Sequence, residues 1–348
     1  MNIKNIMKNV LIIGITGMDG SLAADLWMSK GYNIHGIVRR CSNFNTQRIE
    51  HIFNKITLHY GDLTDMGNII NIIKNVEPEM ILNFGAMSHV KVSFELESYT
   101  FQANTLGILN ILQAVKILNM EKKVKIYHAS TSEMYGNITN GKNLLTETSP
   151  MIPVSPYGIA KLAAYHLCNY YKTAYNMFIV SSILLNHEGE RRGNTFVTKK
   201  IADYVGKYKN NKDNMKPLIL GNLDAKRDWG YANDYVYGIW LMMNAKKPDN
   251  YVLATRETHT VREFVEKSFN IIGINIEWIG SNENEVGINH KTKEILVKVD
   301  TKYYRPIEID TLIGDYSKAY NDLGWYPKTS FDTLVELMVK HSISIFQN

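Results

Sequence analysis

Tyr157 and Lys161 stand four residues apart, just behind Ser155-Pro156. A serine followed by a proline suits the N-cap and first turn of a helix, so the phenol and the ammonium are expected on one helix face, about one turn apart. An ordinary phenol is no base at neutral pH, but a neighbouring ammonium favours its ionised form. The pair therefore suits removal of a hydroxyl proton. Upstream, Ser130-Thr131-Ser132-Glu133 closes the apolar run KIYHAS. Thr131 has a hydroxyl for hydrogen bonding to a polyol, and Glu133 adds a carboxylate able to take a carbon-bound proton and to protonate a leaving hydroxyl. Taken singly, a tyrosine and lysine at this spacing are often an exposed helix pair, and an acid at a strand end is often only solvated. Together they predict an enzyme, because plain oxidation of an alcohol has no use for the extra carboxylate.

A second cluster concerns phosphate. Gly14-Ile15-Thr16-Gly17-Met18-Asp19-Gly20 follows the apolar run VLIIGI and opens a segment of helical period. Glycines at this spacing permit a tight turn, close approach of the backbone to a pyrophosphate, and close packing of the helix on the sheet, with helix N-terminal N–H groups facing the anion. The next apolar run, IHGIV, ends on Arg39-Arg40 where an NAD site usually has an acid for the ribose. Arginine there predicts NADP. Two other motifs fail: Gly136 to Lys142 has Asn143 in place of the magnesium-holding Ser/Thr, and His187-Glu188 is followed by Arg191 where a zinc-binding HExxH needs its second histidine. No metal is expected.

The elements that must position these groups show in the apolar pattern. VLIIGI, IHGIV, ITLHY, MILNF and KIYHAS are short apolar runs separated by segments of helical period, the longest from Ser98 to Met120. This is βαβ repetition, which predicts an α/β fold with a doubly wound parallel (Rossmann) sheet and ligands at the strand C-termini. Past Ile183 the pattern loosens into NHEGERRGN, a helix from Thr195, a strand at PLILGN and a terminal mixture of helices and short strands. Residues 1–186 are read as the NADP-binding domain, with the chain returning to it around 228–256, and 187–348 mainly as a smaller α/β substrate domain. Thr260 and Glu263 form a capping box for a helix reaching Ile272. The polar stretch from Ser281 to Lys293 is expected to be a loop.

The 348 residues, 45% hydrophobic, suffice for a large core. A net charge of +5, spread along the chain, gives no footprint for nucleic acid. Cys41 and Cys168 are distant in sequence, which argues against a disulfide scaffold and for a reducing, cytoplasmic setting. The run at Val10 to Ile13 is too short for a signal sequence, and no apolar stretch is long enough to span a membrane.

The segments GITGMDGS, GIVRRCSNFNTQRIEHI, HYGDLTD, NFGAMSHVKVSFE, ASTSEMYG, SPYGIAKLAAY, NHEGERRGNTFVTKKI, LGNLDAKRDWG and YYRPIEIDTLIGD, in that order, resemble the GDP-mannose 4,6-dehydratase family of extended short-chain dehydrogenases/reductases over nearly the whole chain. The resemblance implies that Tyr157 is the base, Lys161 its partner, and Thr131 and Glu133 the other catalytic pair. It further implies cofactor contacts from Gly14, Thr16, Gly17, Met18, Asp19, Arg39, Arg40, Ser42, Asp62, Leu63, Phe84, Gly85, Ala86, Ser88, Tyr99, His187 and Arg192, besides Tyr157 and Lys161. For GDP-mannose it points to Ser93, Asn186, Lys200, Arg227, Arg305 and Glu308; a planar guanidinium grips a diphosphate through paired hydrogen bonds. Met18 and Leu22 depart from the family's glutamine and aromatic, and NITNGKN and Ser281 to Val299 match poorly.

The expected reaction is redox-neutral. Tyr157 takes the proton of the carbon 4 hydroxyl as hydride passes to NADP⁺, Glu133 removes the carbon 5 proton and helps expel the carbon 6 hydroxyl as water, and the hydride returns to carbon 6. Such a product leads toward GDP-fucose or GDP-rhamnose. A 4-epimerase or reductase on the same scaffold is the competing enzyme, and a non-catalytic NADP sensor the competing non-enzyme; Glu133 and the intact quartet disfavour them. A homo-oligomer, a tetramer or a dimer, is expected, with the segment from Arg39 to His51 reaching a neighbouring subunit.

Overall fold

A computed structural model describes residues 7–42, 45–138, 144–213, 215–304 and 311–347. The chain opens with β1 (Asn9–Ile13), α1 (Met18–Ser29), β2 (Asn33–Val38) and β3 (Thr57–Tyr60), then α2 (Met66–Val76) and β4 (Met80–Asn83). It continues through α3 (Val90–Ser93), α4 (Glu97–Phe101), α5 (Gly107–Ile117), β5 (Lys125–Thr131), α6 (Pro156–Ala174) and β6 (Phe178–Leu184). Sequence explains these elements locally. In α2 the buried residues Ile69, Ile72, Ile73 and Val76 recur at helical spacing, and the Asp65 side chain caps the first turn by accepting from the Asn68 N–H at 3.0 Å.

A later group is β7 (Asn186–Glu188), α7 (Val197–Asn210), β8 (Leu218–Leu220), β9 (Lys226–Arg227), β10 (Trp229–Tyr231), α8 (Ala232–Met243), β11 (Asn250–Leu253), β12 (His259–Thr260) and α9 (Val261–Asn270). The last elements are β13 (Ile276–Ile279), β14 (Val286–Asn289), β15 (Ile295–Val299), α10 (Ser317–Leu323) and α11 (Phe331–Ile345). Thr260 and Glu263 close the expected capping box at the start of α9.

Seven strands form one parallel sheet in the order β11-β6-β5-β4-β1-β2-β3. One face is buried by α1, α8 and α10 around Trp27, Tyr235 and Trp325. The other is buried by α2, α5 and α6 around Ile81, Ile126 and Leu112. Full burial of an aliphatic side chain of this size contributes roughly 2 kcal/mol. The strand order reverses between β1 and β4, which opens a crevice at their C-terminal ends. A second core, under α7, α9 and α11, packs against the four-stranded sheet β13-β14-β15-β8. No helix among the described residues is long and apolar enough to cross a membrane.

Two segments depart from their local sequence pattern. Ser281 to Lys293 is not a loop throughout: after a short turn, Val286–Asn289 forms β14, paired on both edges. Its apolar content is only Val286 and Ile288, too little for a pattern, so its pairing partners decide it. The stretch from Ser98 is not one regular helix either. Between α4 and α5, Gln102 to Leu106 take the wider π-helical turn. There the buried Asn104 side chain accepts from the Met87 N–H at 2.8 Å and donates to the Met87 carbonyl at 3.0 Å. A polar tether to the strand-end loop thus accompanies the bulge.

Candidate active site

A cavity of about 770 Å³ opens at the crevice and runs from the β1–α1 turn across the ends of β4 and β5 to β7 and the start of α7. At its floor the glycine-rich turn is as tight as its sequence suggested. A Cβ on Gly20 would come within 2.2 Å of the Gly14 carbonyl oxygen, so no other residue lets α1 pack this close. The first turn of α1 consequently aims its N–H groups at the cavity.

Most of the residues expected to hold a cofactor line this one space: Gly14, Thr16, Gly17, Met18, Asp19, Arg39, Asp62, Leu63, Phe84, Gly85, Ala86, Ser88, Tyr99, His187 and Arg192. Arg39 donates to the Tyr99 hydroxyl, which joins two of them across the cavity mouth. Arg40 and Ser42 do not line the wall; Arg40 turns back to the Cys41 carbonyl. Asn186, Lys200 and Arg227 line the opposite end. Lys200 lies 4.1 Å over the Tyr303 ring and donates to the Ile219 carbonyl at 2.6 Å. Arg305 and Glu308 lie outside the described residues.

Ser93 is not on the wall. Fully buried, its hydroxyl accepts from the Tyr157 N–H at 3.2 Å and donates to the Val90 carbonyl at 2.6 Å. It anchors the helix that carries Tyr157, a task visible only once α3 is brought against α6.

Helix α6 buries Tyr157, Ala160, Lys161, Ala164, Tyr165 and Cys168 along one stripe. Tyr157 and Lys161 therefore form the cavity end of a core face and are not an exposed pair. Ser155 caps the helix, accepting from the Gly158 N–H at 3.0 Å. A Cβ on Gly158 would meet the Glu133 carbonyl oxygen at 2.7 Å, so glycine allows this helix start to approach the turn that carries Glu133. That turn is held by Thr131, whose hydroxyl accepts from the Glu133 N–H at 3.3 Å. Thr131, Glu133, Tyr157 and Lys161 all line the cavity.

The charge pattern differs from the simple expectation of an ammonium beside a phenol oxygen. Lys161 donates to the Ala129 carbonyl at 2.9 Å and sits 6.0 Å from the centre of the Tyr157 ring. Burial lowers its pKa to about 8. Burial, then the charge of Glu133, raises the Tyr157 phenol, with Thr131 and Arg192 opposing. The protein alone thus keeps the phenol protonated, and further positive charge in the cavity is needed to release it.

His187 and Asp19 tie β7 to the glycine-rich turn. The imidazole bonds Asp19 Oδ2 at 3.0 Å and the Leu185 carbonyl at 2.9 Å, and stacks on Tyr235. Burial disfavours both charges, yet each partner's charge prevails: the Asp19 carboxyl is held below its usual value and the His187 imidazole above. The histidine's contribution to stability is complete below the unfolded imidazole pKa, about 6.5, and is lost as pH rises through the folded value. His187→Gln is expected to cost about 3 kcal/mol near pH ~6 and clearly less near pH ~9. Urea melts at the two pH values measure this, and an equal loss at both would show a neutral histidine.

Residues not anticipated also line the wall, among them Arg48, Lys91, Glu188, Phe196, Trp229 and Tyr303. Arg48 donates to the carbonyls of Arg191 and Thr16, bridging the β2 exit to the glycine-rich turn. Arg192 pairs with Glu188 at 3.0 Å and lies 3.7 Å over Phe196.

A sequence model of the family described as GDP-mannose 4,6 dehydratase matches residues 11–338. The chain belongs to this GDP-mannose 4,6-dehydratase family. A GDP-mannose 4,6 dehydratase of Cricetulus griseus is 49% identical, over 98% of this chain and 92% of the relative. One of Sinorhizobium fredii is 45% identical, over 97% of each. Among solved structures, the UDP-glucose 4-epimerase of Thermotoga maritima superimposes with a TM-score of 0.79 at 21% identity, covering 97% of this chain and 99% of that one. At that identity the likeness speaks for the shared Rossmann architecture alone, whereas the full-length relatives place the chain among the dehydratases and not the epimerases.

Proposed function

We infer that this protein is an enzyme that converts GDP-mannose to GDP-4-keto-6-deoxymannose and water with NADP as its cofactor. The carrying observation is that Glu133 and Tyr157 face one cavity: a base for a hydroxyl proton and a second carboxylate for a carbon-bound proton. The names of the family relatives supply the substrate. The fit of a dinucleotide rests on the turn that a Cβ at Gly20 would fill and on Asp19 Oδ1, a buried acceptor with no donor among the described residues. Gly14, Gly17, Asp19, Arg39, Asp62 and Tyr99 would hold it. When bound, its nicotinamide supplies a hydride acceptor and a positive charge.

Tyr157 removes the proton from the carbon 4 hydroxyl, with Thr131 beside it and Lys161 below. The ketone so formed acidifies the proton on carbon 5, which Glu133 takes and delivers to the departing carbon 6 hydroxyl. Carbon 5 must regain a proton when carbon 6 is reduced, and Tyr157, which holds the one from the hydroxyl, returns it. The balance is loss of one water with no net oxidation. Arg227 and Lys200, across the cavity, are the cations for the GDP diphosphate. Incubation with GDP-mannose and NADP, followed by product mass, tests the reading: a mass lower by one water supports it, and an unchanged mass points to an epimerase.

For NADP over NAD the support is Arg39, on the wall at the end of β2 and set by Tyr99. Arg39→Ala is expected to weaken NADP about 10- to 100-fold, the loss of a charge-assisted phosphate contact, with little change for NAD. Titration of both cofactors measures this, and equal losses would make the arginine structural. The exposed apolar side chains Phe101 on α4, Leu106 on the turn between α4 and α5, and Ile159 on α6 support a homo-oligomer, a tetramer or a dimer. Light scattering with cofactor present checks it, and a monomer overturns it. The sequence distance of Cys41 from Cys168, the one exposed and the other buried, supports a reducing, cytoplasmic setting.

A further inference from the structure

Four adjoining strands of the parallel sheet carry polar side chains at one level. The register pairs Asn83 of β4 with His128 of β5, His128 with Ser181 of β6, and Ser181 with Asn250 of β11. All four are buried. Two residues earlier the same face carries Ile81, Ile126 and Ile179, part of the core under α5 and α6. The polar row therefore lies on the α6 side, at the level where Lys161 reaches the Ala129 carbonyl next to His128. Ser130, two residues beyond His128 on that face, borders the cavity.

The hydrogen bonds fix the His128 tautomer. Asn83 Oδ1 accepts from the Gly85 N–H at 3.2 Å, so its amide nitrogen is the group that donates to His128 Nδ1 at 3.3 Å. Nδ1 is then an acceptor and Nε2 carries the hydrogen. His128 Nε2 and the hydroxyls of Ser130 and Ser181 are buried and lack a partner among the described residues, apart from the weak Cys168 thiol beside Ser181. A buried N–H left unpaired is costly, and a site offering two or more such groups suits a water.

We propose that His128, Ser130 and Ser181 hold a buried water behind Lys161, and that His128 through it positions the Tyr157–Lys161 pair. This rests on Tyr157 being the hydroxyl base. The ionisable groups on this face are Tyr157, Lys161, Tyr165, Cys168 and Tyr171 of α6, with the Lys172 charge acting on Cys168; β4 and β6 offer Asn83 and Ser181, and Lys116 of α5 is exposed at its far end. His128 stays neutral, through burial first and then the Lys161 charge. The water accepts from His128 and leaves a lone pair for the Lys161 ammonium. It stabilises that charge, and through it the phenolate.

Loss of the water should narrow the pH profile of kcat from both sides, because the phenol becomes harder and the ammonium easier to deprotonate. His128→Leu and Ser181→Ala are each expected to move the acid limb up by about one pH unit and the alkaline limb down. His128→Gln, which keeps an N–H donor, should restore both. A variant that loses thermal stability but keeps both limbs in place would overturn the role, and Ser181→Ala reads it if His128→Leu fails to fold. A high-resolution crystal structure of the unmodified protein tests the site itself: a water bonded to Nε2 supports it, and an Nε2 without one overturns it. If Tyr157→Phe retained full turnover, the base assignment would fall while the crystallographic result still decided the water.

Discussion

Glu133→Gln is expected to lower turnover of GDP-mannose by about 10²- to 10⁴-fold, the range for loss of a proton-transfer group. The amide has nearly the shape of the carboxylate and keeps the turn capped by Thr131. Oxidation at carbon 4 needs only Tyr157 and a bound cofactor, so it proceeds while elimination stalls. On mixing enzyme, NADP and GDP-mannose at near-equal concentrations, the absorbance of reduced nicotinamide should rise and persist, with little 4-keto-6-deoxy product. The amplitude is bounded by the equilibrium of the first step. Turnover near the parent rate would remove Glu133 from proton transfer and take with it the main structural argument for a dehydratase over an epimerase.

Tyr157→Phe should give a loss of similar or greater size with the opposite signature: no reduced cofactor and no product. Phenylalanine preserves the buried stripe of α6, and the residue 157 N–H still bonds Ser93, so folding should change little. The same single-turnover measurement separates the two variants. Appearance of reduced cofactor in Tyr157→Phe would show that another group takes the hydroxyl proton. Because burial raises this phenol in the protein alone, it should titrate above the free phenol in the cofactor-free protein, whereas the acid limb of turnover, set with cofactor bound, should lie well below that value.

The chain's own residue pattern determined the parts of this protein that are local. Continuous apolar runs between helical segments specify a parallel sheet covered on both faces, since strands buried on both sides have no polar alternation. The glycine spacing specified the turn, because the clash of a Cβ at Gly20 is with the turn itself. Ser155-Pro156 and Thr260 with Glu263 specified two helix starts for the same reason: each cap closes within a few residues. The order of Arg39, Glu133, Tyr157 and Lys161 along a doubly wound chain was also enough to bring them to one edge, as the C-terminal ends of parallel strands all lie there.

Tertiary structure decided what depends on neighbours distant in sequence. β14 is a strand because β13 and β15 flank it, though its own residues read as a loop. Ser93 is a helix anchor and not a wall residue because α3 meets the start of α6. Asp19 and His187, far apart in the chain, each favour the other's charged form against burial once β7 comes beside the glycine-rich turn. The polar row from Asn83 to Asn250 exists only through strand register, which no periodicity within a single strand encodes. Local chemistry is written in spacing, whereas burial and the charge state of a buried group are set by what the fold places within a few ångströms.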